Sequence, residues 1–155
     1  MKEDAAMNNV SRPNGWVVVC DGGKALFLEN VGSRFHPELK TRNVMKHETP
    51  PSRLLGASAP GRTQSGSDDR RAAMEETDFH ARAEEEFLRT IGTELDRYVR
   101  EQDIHALLLI APARALGTLR KMLSEATRKI VSGELVRDLV KLPIHEIEQH
   151  LVDAP

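Results

Sequence analysis

What this chain has little of narrows its function first. It holds a single cysteine, Cys20, so no internal disulfide can form, and the thiol's place in an apolar run reads as a buried side chain in a reducing compartment. It has no basic surplus. Its 22 Lys and Arg stand against 24 Asp and Glu, a net charge of -2, which excludes a general coat for nucleic acid, because counterion release needs a concentrated basic surface. A local basic patch stays open. No early segment joins a basic start to a long apolar core and a small-residue cleavage site, so no export signal is read and the expected location is the cytoplasm. No internal repeat is detectable. At 155 residues, 39% hydrophobic and 30% charged, the composition fits one domain with a single core.

What is present organises into alternating strands and helices. Residues 1–14 are polar and aperiodic and read as a flexible N-terminal extension, ahead of a single α/β domain over 15–152. Trp16-Val17-Val18-Val19-Cys20 and the run from Ala25 to Val31 flank Asp21-Gly22-Gly23-Lys24, the pattern of a hairpin. Leu39 to Lys46 is more charged and fits an edge strand that its charges protect from aggregation. From Glu48 to about Arg71 the chain turns to Pro, Gly, Ser and Arg, a long loop of the kind that is usually functional or disordered. A long helix is expected from Glu75 to Gln102, with Phe79, Ala83, Phe87, Ile91, Leu95 and Tyr98 as its buried stripe.

Leu107 to Ala111 is continuously apolar and stops at Pro112, as a central strand buried on both faces does. A helix follows from about Ala113, Ser124 caps a second piece, Gly133 stops it, and Leu135 to Lys141 reads as a further strand. Pro143 then opens a last helix with the stripe Ile144, Ile147 and Leu151. The order β-β-β-α-β-α-β-α implies a mixed five-stranded sheet with helices on its faces.

In open α/β sheets, sites form outside the carboxyl ends of the strands, which puts Pro112 and Arg114 at the candidate rim. No Asp, Glu, Ser, Cys or His stands between Leu107 and Thr118, so that rim offers no obvious chemistry. Asp21 with Glu75, Glu76 or Asp78 would begin an acidic cluster for two-metal phosphodiester cleavage, but Pro112-Ala113-Arg114 replaces the acid expected beyond the central strand. Asp21 is better read as a turn residue. The trio Asp78, His80 and Glu84 includes a metal-compatible i,i+4 pair, yet no second His or Cys cluster completes a site. No cofactor or metal is expected. Gly22-Gly23-Lys24 lies between strands, unlike a phosphate-cradling loop that opens a helix.

The segments WVVVCDGGKALFLENVG, GRTQSGSDDRRAAMEETDFHARAEEEF, LLLIAPARALGTLRKML and ELVRDLVKLPIHEIEQHL, in that order, resemble the bacterial host-attachment protein family, labelled as a protein required for attachment to host cells. The resemblance implies a fold similar to the middle domain of eukaryotic and archaeal peptide-chain release factors, which is ribonuclease-H-like. In release factors a Gly-Gly-Gln loop ahead of the long helix positions the water that hydrolyses peptidyl-tRNA. Here the corresponding stretch is Gly61-Arg62-Thr63-Gln64-Ser65, in which Arg62-Thr63 replaces the second glycine.

The expected function is a release-factor-like, non-catalytic binding domain that acts on RNA or the ribosome through the Gly61 to Arg71 loop. Arg62, Gln64, Ser65, Arg70, Arg71 and Arg114 are its candidate binding residues, because planar guanidinium groups suit phosphate. Two alternatives stand beside it. One is a ribosome-rescue peptidyl-tRNA hydrolase in which Gln64 orients water; the other is a protein-interaction module in bacterial attachment, with a protein partner or self-association. No membrane insertion is expected.

Overall fold

The computed structural model describes residues 15–33, 36–47 and 66–153, the side chains of 66–72 and 153 excepted. Three strands, β1 (Trp16–Cys20), β2 (Lys24–Asn30) and β3 (Leu39–Lys46), form an antiparallel meander. The long helix α1 (Gly66–Glu101) follows, then β4 (Leu107–Ala111), α2 (Ala113–Met122), the short α3 (Glu125–Ile130), β5 (Val131–Val136) and α4 (Ile144–Asp153). The strand order is β3-β2-β1-β4-β5, with β4 parallel to both β1 and β5. This is the mixed five-stranded α/β sheet that the alternation of apolar runs implies, in the ribonuclease-H-like order that the resemblance implies.

The two faces follow from the period of two along each strand. Trp16, Val18 and Cys20 of β1 join Leu107, Leu109 and Ala111 of β4 beneath α1, α2 and α3. Val17, Val19, Leu108 and Ile110 face the other way, against Ile147 and Leu151 of α4. Both central strands are thus covered on each side, which is why they read as unbroken apolar runs. A hydroxyl network joins two of the covering helices: Asp96 on α1 accepts hydrogen bonds from the Ser124 and Thr127 hydroxyls at the start of α3 (3.0 and 2.5 Å). As expected, Ser124 caps α3, its Oγ accepting from the Thr127 N–H.

Three features differ from those expected from the sequence. Helix α1 begins at Gly66 and spans 36 residues, so Arg70 and Arg71 lie in its first turns and not in a loop. Its buried stripe is also shorter: Phe79 is 42% exposed, and the stripe runs from Phe87 through Ile91 and Leu95. The helix reaches the core only where it meets the sheet. At its other end Tyr98 packs at a tilt against Trp16 and Phe27, with ring centroids 5.3 and 5.4 Å away, and Asp103 closes the turn with φ 53. The last strand is Val131–Val136, not 135–141, and Gly133 lies inside it opposite Leu108. Pairing along β4 decides that strand, whereas Leu139 and Val140 bury their side chains from a turn against the α4 face.

Candidate functional site

Because β1 and β4 are neighbours and parallel, their carboxyl ends open on the same side of the sheet. A crevice of about 270 Å³ lies there, between the turn after β1, the middle of α1 and the start of α2. Gly22 contributes from the turn, Arg82, Glu84 and Glu85 from α1, and Arg114 and Thr118 from α2; Leu88 and Pro112 supply apolar wall. The crevice therefore forms where open α/β sheets place their sites.

Its electrostatics are balanced. Two guanidinium groups and two carboxylates line the same space, and neither Arg82 nor Arg114 makes an ion pair among the described residues. Arg114 is exposed in the first turn of α2, which Pro112 precedes without a side-chain cap. The turn is fixed by Asp21, whose Oδ1 accepts the N–H groups of Gly23 and Lys24 at 2.8 Å each. That carboxylate oxygen is spent on local structure. Among the described residues no group of three or more His, Cys, Asp or Glu is arranged to hold a metal ion. His80 lies 3.8 Å from Glu76, one helical turn back, and is not among the crevice residues. The lining residues supply no thiol, imidazole or serine hydroxyl as a nucleophile or base.

Cys20, immediately before the turn, is buried. Desolvation, followed by the nearby Asp21 charge, pushes its pKa up from 9.0 to about 12, so the thiol stays protonated and unreactive at neutral pH.

A model of the bacterial archaeo-eukaryotic release factor family 12 matches residues 14–151. The chain belongs to that family. No curated protein matches it at a significant level. The release-factor family 12 match spans β1 to α4, so the whole sheet and the crevice fall within it. It bears out the release-factor half of the resemblance and carries no attachment label.

Within this family 12 domain, the candidate binding residues separate. Arg114 lines the crevice. Arg70 and Arg71 lie near the start of α1, about 17 to 18 Å along the helix axis from Arg82. Arg62, Gln64 and Ser65 lie outside the described residues. The sequence reading missed Gly22, Arg82 and Glu85 as neighbours of Arg114. Arg82 and Glu85 are three residues apart and share a helix face, a usable local signal. Their meeting with Arg114 depends on how α1 crosses the sheet, which no local pattern contains.

Proposed function

We propose that this release-factor family domain is a non-catalytic binding module directed at RNA, with the ribosome as its setting. The observation that carries the reading is the length of α1. Fifteen residues of this helix precede Ala81, its first residue at the crevice, a span of about 22 Å at the helical rise. Over that span the described side chains are largely exposed, Met74 at 68% among them. A helix that runs so far past its core suits a domain that presents the chain at the helix start to a partner surface; Arg62, Gln64, Ser65, Arg70 and Arg71 cluster in that part of the sequence. Arg114 would add a contact at the crevice rim.

The replacement of the second glycine by Arg62-Thr63 supports a binding role over a hydrolytic one. A ribosomal setting implies action in the cytoplasm, and any part in host attachment would then be indirect. Co-sedimentation with purified ribosomes across a salt series tests the reading. Binding that weakens steadily with salt supports it. Absence of binding even at low salt overturns it in favour of a protein-interaction module, and release of peptide from loaded ribosomes by the wild type overturns its non-catalytic part.

A further inference from the structure

We infer that Lys24 and Lys46, paired across β2 and β3 beside the Gly22 turn, form a contact for the phosphate backbone of single-stranded RNA; the inference rests on the RNA-directed reading above. The sheet register places Lys24 directly opposite Lys46, on the face that also carries Leu26 and Val44. Like charges directly opposite each other destabilise a sheet. Neither ammonium has an ion-pair partner within salt-bridge distance among the described residues. An external anion bound between them would relieve that repulsion.

The surrounding charges favour the same edge. β3 carries Lys40, Arg42 and Lys46 and no acidic residue, and of these only Arg42 is paired, with Glu29. Several other cations are committed, Arg97 to Glu94 and Glu101, Arg120 to Glu134, and Lys129 to Glu125, whereas Arg82 and Arg114 at the crevice are not. On the far side of the Gly22 turn, α1 presents Glu84, Glu85 and Glu86 interleaved with Arg82 and Arg89, a balanced surface. A phosphate chain that approaches this end of the sheet meets carboxylates interleaved with guanidinium groups on the α1 side and cations without carboxylates along β3.

Protection of an edge strand explains a lysine on β3. It does not explain Lys24, which lies on an interior strand. The edge is in any case partly closed, because the Val44 N–H donates to Asn43 Oδ1 at 2.8 Å. An added peptide strand would lose that ladder position, so RNA is favoured over an extended acidic polypeptide.

The test is fluorescence anisotropy of a labelled single-stranded oligoribonucleotide with the full chain, across a potassium chloride series. For Lys24→Gln/Lys46→Gln the expected result is roughly tenfold weaker binding and a salt slope shallower by about 1.4, from about 0.7 per phosphate contact. Lys24→Arg/Lys46→Arg should keep both affinity and slope, and Lys121→Gln should change neither. The melting temperature of the Gln pair should hold or rise, since a repulsion is removed; if the double variant fails to fold, Lys46→Gln alone gives half the slope change. Unaltered affinity and slope while the wild type binds RNA would overturn this site and leave the broader reading standing. A wild type that binds neither RNA nor ribosomes overturns both. Equal competition by polyglutamate would assign the edge to an acidic protein instead and overturn the RNA contact.

Discussion

Gly22 lies so close to the stem of Glu84 that a Cβ on it would stand 2.8 Å from Glu84 Cγ and 3.1 Å from Glu84 Cβ. The turn after β1 and the middle of α1 are in contact there, and the absent side chain is what lets the helix settle over the crevice. Gly22→Ala should therefore push the Glu84 stem away and cost about 1 to 3 kcal/mol, the range of an overpacked contact, in urea unfolding. Glu84→Ala in the same background should recover much of that loss, because it reopens the space. Additive losses in the double-mutant cycle would show that the two residues do not share this contact.

The stripe of α1 separates two phenylalanines that the sequence alone makes equivalent. Phe87 is buried and lies 5.6 Å from the His47 ring, whereas Phe79 is 42% exposed. Phe87→Ala should cost about 3 to 5 kcal/mol of stability. Phe79→Ala should stay near the surface range, within about 0.5 kcal/mol. Comparable losses at the two positions in chemical denaturation would mean that the core extends further along α1.

Those phenylalanines also mark how far the sequence could be read. The central strands were legible because burial on both faces leaves an apolar run with no alternation, as in Leu107 to Ala111. The start of α1 was not. Gly66-Ser67-Asp68-Asp69 has the composition of a loop, yet acidic residues are equally compatible with a first helical turn, and composition alone does not separate the two. The last strand was misplaced because Leu135 to Val140 is the more apolar stretch, while the pairing with β4 begins at Val131. The site was half legible: the rule for open sheets placed Arg114 at the rim, but Arg82 and Glu85 reach it only through tertiary packing.

Cys20 gives a test in alkali. At pH values below 9.0 the thiol is protonated in both folded and unfolded chains and contributes no pH dependence. Above that value the unfolded chain loses the proton while the folded one keeps it up to about 12, so the unfolded state is favoured and stability falls. The expected slope from this group is about 1.4 kcal/mol per pH unit. Subtracting the stability of Cys20→Ala from that of the wild type between about pH 8 and about pH 11 isolates it from the lysines and Tyr98. A flat difference would show that the thiol titrates normally; rapid reaction of the native protein with a thiol reagent at neutral pH would say the same.

The segment Gly61-Arg62-Thr63-Gln64 decides between binding and hydrolysis, although it lies outside the described residues. If RNA binding is the role, Arg62→Ala and Arg70→Ala should each weaken binding and make its salt slope shallower by about 0.7 to 1 unit, while Gln64→Ala changes little. If hydrolysis is the role, the order reverses. Orienting a water is a task of the transition state, so Gln64→Ala would then lower turnover and leave ribosome binding nearly intact. The first outcome is expected, because Arg62-Thr63 stands where a release factor has its second glycine, and side chains there remove the backbone freedom that brings the glutamine into place. Arg62→Gly/Thr63→Gly sharpens the comparison: if backbone freedom is what hydrolysis lacks, this variant should gain peptide release while it loses RNA affinity. Release by the unaltered chain, abolished by Gln64→Ala, would assign the domain to hydrolysis instead.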